Sequence, residues 1–191
     1  MSDLLQIDAD ILLWINGHHS PFVDGMMWAF SKATTWIPLY ALLVGLLWHR
    51  FGWRRMLVYL VAIVAAIGLA DYLSSGIIKL LVCRLRPTHE PELQGLVHLV
   101  RGYTGGLYGF VSSHAANTVA CAYLFCRIYK ERWMCIVMTL YVILNCYSRM
   151  YLGVHYPGDI LGGLLVGLLI AWLVYELVIF ILDRKASLLR G

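Results

Sequence analysis

Charge is scarce in this chain. Asp, Glu, Lys and Arg make up only 14% of the residues, and hydrophobic residues make up 61%, whereas a soluble domain carries about a quarter charged residues. That shortage excludes an ordinary water-soluble fold and points to an integral membrane protein. The basic residues are dispersed and the net charge is only +4, which excludes a strongly basic nucleic-acid binder. Cysteine is sparse and forms no CxxC pair or zinc-like spacing. Cys121, Cys126, Cys135 and Cys146 lie inside apolar runs as buried thiols, and Cys83 has no obvious base beside it. The N-terminus does not read as a cleavable leader: Asp3, Asp8 and Asp10 stand where a signal peptide would carry positive charge. No internal repeat, low-complexity tract or domain boundary is visible, so residues 1–191 are read as one membrane-embedded domain.

Long apolar runs are plentiful. A helix needs roughly 20 apolar residues to span a bilayer. Five segments meet or approach that length: Met26 to Trp48, Met56 to Leu81, Ala115 to Ile128, Trp133 to Tyr147 and Ile160 to Leu182. The expected fold is therefore all-α, an integral membrane bundle of about five transmembrane helices. Leu4, Leu5, Ile7, Ile11, Leu12 and Trp14 suggest an additional amphipathic helix over residues 4–16. It is too short and too acidic to span, and is expected to lie in the interface. Three basic clusters orient the bundle: Arg50, Arg54 and Arg55; Arg127, Lys130 and Arg132; Arg184, Lys185 and Arg190. With five spans all three fall on one side, which the positive-inside bias makes cytoplasmic. The opposite side, periplasmic in a bacterium, receives the N-terminus, the loop over residues 84–113 and the segment from Ser148 to Asp159.

Cations on that outer side run against the bias and need a reason. Lys79, Arg84, Arg86, Arg101 and Arg149 are all there. Asp71, Ser75 and Lys79 are four apart and share one helix face, and Pro87 stops the helix just after Arg86. Alone, Lys79 would be a lysine snorkelling to the interface; with Arg86, Arg149 and two histidines on the same side it is read as part of a site. Ser112 and Ser113 suit a helix N-terminus, whose free N–H groups favour anions, although simple capping explains them equally well in isolation. Asp159 lies four residues after His155, close enough to orient one imidazole nitrogen, although it also suits the start of a helix behind Pro157. Together these residues supply three cations for a tetrahedral anion, two helix N-termini and two histidines. That set would stabilise phosphoryl transfer without a metal, one histidine attacking phosphorus and the other protonating the departing oxygen.

Three spaced motifs resemble the type 2 phosphatidic acid phosphatases, also called lipid phosphate phosphatases. Lys79, six residues, then Arg86-Pro87 is similar to their first motif. Ser112-Ser113-His114 resembles the second, usually Pro-Ser-Gly-His, with Val111 and Ser113 in place of the usual Pro and Gly. Ser148-Arg149, five residues, His155, three residues and Asp159 matches the third. The resemblance implies His155 as nucleophile through a phosphohistidine, Asp159 as its orienting partner and His114 as general acid. It implies Lys79, Arg86 and Arg149 as phosphate ligands, with Ser112, Ser113 and Ser148 adding hydrogen bonds, and no metal or other cofactor. The expected partners are the bilayer and a phosphorylated lipid, with no nucleic acid. Candidate substrates are undecaprenyl pyrophosphate and lipid A phosphates, then phosphatidylglycerol phosphate and phosphatidic acid. The stretch from Thr88 to Tyr108 is expected to act as a lid that chooses among them. The expected location is a bacterial inner membrane with the site facing the periplasm. A non-enzymatic lipid transporter or headgroup binder, with Asp71 in a proton relay, is the competing class; it gives no reason for a His155–Asp159 pair facing a second histidine. The vanadate-dependent haloperoxidases share such an anion pocket, but they are soluble and this composition is not.

Overall fold

A computed structural model describes residues 3–188. Among the described residues seven α-helices and several single 3₁₀ turns account for the regular structure, with no strand. α1 covers Asp3–Gly17 and α2 covers Pro21–Phe30. α3 covers Ile37–Asp71 and runs through a π-wound stretch, Tyr72–Ile78, into α4, Lys79–Val82. α5 is Ser113–Tyr129, α6 Arg132–Tyr151 and α7 Pro157–Leu188.

The stretches Ala33–Val82, Arg132–Tyr151 and Pro157–Ile181 are long and apolar enough to cross a membrane. The first is two crossings. Gly52 sits at φ 74°, ψ 164°, a conformation open to glycine and costly for other residues, and the chain reverses there. Trp36 and Tyr40 before the break line the same cavity as Ile67, Asp71, Ser75 and Lys79 after it, so the two limbs are antiparallel. With α5, α6 and α7 this makes an integral membrane bundle of five long helices, as expected. The start of the first span needs correction. Met26 to Phe30 belong to α2, a separate helix that Ser20 caps by accepting the Val23 N–H at 3.4 Å, with Pro21 in its first turn. The chain breaks at Ser31 and Lys32 and restarts in a 3₁₀ turn, Ala33–Trp36.

α5 is the buried centre of the bundle and packs on both limbs of α3, on α6 and on α7. Its closest approach is to α7. A Cβ at Gly163 or Gly167 would strike the backbone carbonyls of Ser112 and Ala116. Only small residues let two helices meet this tightly. This contact sets the start of α5 against the start of α7, where the Ser112 N–H donates to the Asp159 carbonyl at 2.9 Å.

α1 and α2 lie across one end of the bundle. Asn16 ties α1 down, donating to the Tyr151 carbonyl at 2.7 Å and the His98 carbonyl at 3.0 Å, and accepting the His98 N–H at 2.7 Å. Ala9, Leu12 and Ile15 are buried, whereas Leu4, Ile7, Ile11 and Trp14 are exposed. The basic residues gather at the other end, where Arg50 pairs with Glu131 at 2.8 Å and lines one cavity with Arg127 and Lys130. Arg184 and Lys185 fall in the last turns of α7, and Arg190 lies outside the described residues.

Candidate active site

At the end covered by α1 and α2 the helices part around a cavity of about 480 Å³. Lys79, Arg86, Arg149, Ser113, His114 and His155 line it, together with Tyr40, Asp71, Asn117, Tyr141 and Asn145. Residues far apart in sequence meet here for local reasons. The π winding of Tyr72–Ile78 presents Ser75 and Lys79 to α5. There the Ser75 and Ser113 hydroxyls share a hydrogen bond of 2.7 Å, and Lys79 Nζ donates to Ser113 Oγ at 3.0 Å. Cys83, in the left-handed conformation, ends α4, and the chain runs extended beside Tyr108. Arg86 is thereby turned inward, its Nε donating to the Tyr108 carbonyl at 3.1 Å and its Nη1 reaching the Val154 carbonyl at 3.5 Å. Arg149 enters from the last turn of α6, donating to the Ser31 hydroxyl and, at 3.2 Å, to the Tyr103 hydroxyl.

These three cations have no counter-ion of their own. Among the described residues none of them pairs with a carboxylate, although Arg86 and Arg149 are 8% and 2% exposed. Arg149 Nε is buried with no hydrogen-bond partner at all. Burying like charges together without an anion is costly. The cost appears in Arg86, whose pKa is lowered by burial and then by Arg149. Burial pushes the Tyr103 phenol upward, yet the neighbouring Arg149 guanidinium brings it below its usual value. Such a cage is built to receive an anion.

His155 forms one wall, 1% exposed, in the short connection between α6 and α7. Its Nδ1 lies 3.3 Å from Asp159 Oδ2, which leaves Nε2 for the cavity. Burial first, then the charges of Arg86, Arg149 and Lys79, hold its pKa well below the usual 6.5, which favours the neutral imidazole. His114, in the first turn of α5, also faces the cavity. Among the described residues no three His, Cys, Asp or Glu side chains cluster as metal ligands.

The structure brings together Lys79, Arg86, Ser113, His114, Arg149 and His155. Asp159 and Ser112 stand behind the wall, both fully buried. Asp159 supports His155, and the Ser112 hydroxyl caps α5 by accepting the Ala115 N–H at 3.5 Å. Ser148 is a correction: its hydroxyl donates to the Asn145 carbonyl at 2.7 Å within α6 and does not line the cavity. Arg101 lies over the Trp28 ring, 5.5 Å from its centroid. The loop from Thr88 to Tyr108 is held by the Thr88 hydroxyl donating to the Thr104 carbonyl at 2.7 Å, with Leu93 and Val100 packed beside α1 and α2. Sequence reasoning missed Ser31 and Tyr103 as partners of Arg149. It also missed Gly109, where a Cβ would sit 2.7 Å from Asp159 Oδ2, and it gave Arg84 no partner, although Arg84 pairs with Asp159 at 2.9 Å. An outer-side arginine beside a motif is the one signal that could have found Arg84.

Comparison with known proteins agrees with this geometry. The family model of the PAP2 superfamily matches residues 55–181. A lipid A 4'-phosphatase of Bacteroides thetaiotaomicron is 41% identical over 173 residues, covering 90% of this chain and 77% of that protein. A lipid A 4'-phosphatase of Porphyromonas gingivalis is 31% identical over 184 residues, covering 96% of this chain and 78% of that protein. Among solved structures, a transmembrane PAP2-type phosphatidylglycerolphosphate phosphatase from Bacillus subtilis superposes with a TM-score of 0.68 at 22% identity, covering 97% of this chain and 88% of the other.

Proposed function

The chain belongs to the PAP2 superfamily and is a multi-pass membrane lipid phosphatase; on that premise we propose that it removes a phosphomonoester from a lipid A-type glycolipid through a phosphohistidine on His155. The observation that carries the site assignment is the cage of half-buried Lys79 and buried Arg86 and Arg149 with no carboxylate of its own beside a buried histidine whose Nδ1 faces the Asp159 carboxylate.

The steps follow from that arrangement. The three cations and Ser113 take the phosphate oxygens, with the orphaned Arg149 Nε gaining an acceptor. His155 Nε2 attacks phosphorus, and the bond from phosphorus to the sugar oxygen breaks. His114 passes its proton to that oxygen. Water, losing a proton to His114, then attacks the phosphohistidine and frees inorganic phosphate and His155. In both steps negative charge is spread over the three equatorial oxygens of the transferring phosphoryl group, where fixed donors are most effective. The cations and donors stabilise this charge without a metal, so activity is expected to survive EDTA.

Two observations support the glycolipid over a polyprenyl pyrophosphate. The names of the Bacteroides and Porphyromonas relatives are one. The other is the cavity wall where Asp71 Oδ1 accepts from Asn117 Nδ2 at 3.1 Å and Asn117 Oδ1 has no donor. Acceptors there suit sugar hydroxyls and offer nothing to an isoprene chain. The basic clusters at the opposite end support a cytoplasmic placement of that end and a periplasmic one for the site, in a bacterial inner membrane. The exposed apolar side of α1 supports a helix lying in the outer interface. The test is a panel of lipid A, undecaprenyl pyrophosphate, phosphatidylglycerol phosphate and phosphatidic acid, given to purified protein in detergent with products read by mass spectrometry. Lipid A is expected to lose phosphate fastest; preference for undecaprenyl pyrophosphate would overturn the substrate assignment.

A further inference from the structure

The first helix of the chain reaches the reactive histidine through a single arginine. Asp8, in the second turn of α1, accepts the Arg84 Nη2–H at 2.6 Å and the Gly158 N–H at 2.7 Å. Arg84 Nη1 donates to Asp159 Oδ1 at 2.9 Å. The other Asp159 oxygen accepts the Tyr156 N–H at 3.1 Å and faces His155 Nδ1 at 3.3 Å. The Arg84 guanidinium is stacked on the Tyr156 ring, 4.0 Å from its centroid. Both partners are largely shielded, the Asp8 and Arg84 side chains being 14% and 20% exposed. The resulting series, Asp8 to Arg84 to Asp159 to His155, joins residues from α1, the α4–α5 connection and the start of α7.

We propose that Asp8 and Arg84 are positioning residues for the phosphatase reaction, acting on His155 through Asp159. Asp159 must turn one oxygen to Nδ1 to hold the tautomer that bares Nε2. Arg84 fixes that rotation by holding the opposite oxygen. A guanidinium held at one corner is free to swing and to draw both oxygens of Asp159 to itself, in competition with His155. Asp8 holds the second corner, and Tyr156 fixes the plane. Asp8 also shares the positive charge of Arg84, which leaves more of the Asp159 charge for the imidazolium-like state that forms during attack. A helix serving only as an interfacial anchor needs its apolar exposed side, Leu4, Ile7, Ile11 and Trp14, and has no use for an inward carboxylate bonded to the start of α7.

The inference rests on the reading of His155 as nucleophile, and the experiment separates the two. Full-length Asp8→Asn, Asp8→Glu, Arg84→Gln, the Asp8→Asn/Arg84→Gln double variant and His155→Ala are assayed in detergent on lipid A. Orthovanadate inhibition reports the integrity of the phosphate cage, and melting temperature reports the fold. Asp8→Asn is expected to lower kcat about tenfold, the scale on which second-layer partners of active-site groups act. KM and the orthovanadate inhibition constant should stay within about twofold, because the cage does not include Asp8. Asp8→Glu should recover most of the loss, and the double variant should be no slower than Arg84→Gln, because coupled residues are not additive. Wild-type kcat in Asp8→Asn, additive losses, or a loss explained entirely by a lower melting temperature and fewer vanadate-sensitive sites would each overturn the inference and leave the site reading intact. Wild-type turnover by His155→Ala would overturn both.

Discussion

Both ends of this bundle are cationic, and they use charge in opposite ways. At the Arg50 end Arg50 and Arg127 are exposed and already partnered: Arg50 pairs with Glu131 at 2.8 Å and lies over the Tyr129 ring at 4.5 Å, and Arg127 covers the Tyr175 ring at 4.7 Å. At the His155 end Arg86 and Arg149 are buried and, with the half-buried Lys79, are hydrogen-bonded only to hydroxyls and carbonyls, while Arg84 behind them pairs with Asp8 and Asp159. Exposed pairs are worth little because water competes for them. Buried, unpaired cations are costly, and a fold retains them where an anion repays the cost. The number of basic residues does not separate the two ends; burial and missing partners do.

The widest separation is expected from single truncations. Arg149→Ala should lower kcat/KM for lipid A by roughly a thousandfold, near the upper range for one donor to a developing oxyanion. Arg50→Ala should stay within about twofold, since it touches no reacting atom. Equal effects at the two ends would break the comparison. Next, Gly109→Ala places a Cβ 2.7 Å from Asp159 Oδ2. It is expected to cost between about 10-fold and 100-fold in kcat, measured in the same steady-state assay. An unchanged rate would deny Asp159 its orienting role.

The third prediction concerns protonation. Burial and three cations hold His155 below its usual pKa of 6.5, so its imidazole should remain neutral in nitrogen NMR of labelled protein at pH 6. Arg86→Gln removes a charge that opposes a second positive charge, so the pKa should rise toward 6.5. Titration of wild-type His155 at or above 6.5 would contradict the cage. The smallest effects belong to the basic end and are read as melting temperatures. Gly52→Ala forces a side chain into a glycine conformation and should cost about 1–3 kcal/mol of stability with kcat unchanged. Glu131→Ala, which breaks only an exposed pair, should cost less than about 1 kcal/mol.

Much of this was legible in the sequence because membranes make polarity expensive. Lys79, Arg86, His114, Arg149 and His155 stand out against apolar runs, and their spacing matches known motifs. What was not legible depends on tertiary contact or backbone conformation. An apolar window passes straight over Ser31 and Lys32, so Met26 to Phe30 look like part of a span when they form a separate helix. Gly52 reads as one more glycine beside arginines until its φ of 74° reveals the reversal. Ser148 sits next to the cavity-lining Arg149 in sequence, but a helix turns successive residues by about 100°, and its hydroxyl bonds within α6. Asp8 is 76 residues from Arg84, and no periodicity links them; only the folded chain brings a carboxylate of the first helix, through Arg84 and Asp159, behind His155.

The central claim is that the buried cage and His155 hydrolyse a lipid phosphate through the histidine. The most direct test compares phosphate release from lipid A by wild-type protein and by His155→Ala, in detergent containing EDTA. Turnover by the wild type and background release by the variant, with its melting temperature preserved, is the predicted result. Hydrolysis by His155→Ala at the wild-type rate, or full loss of wild-type activity in EDTA with recovery on adding magnesium, would contradict it.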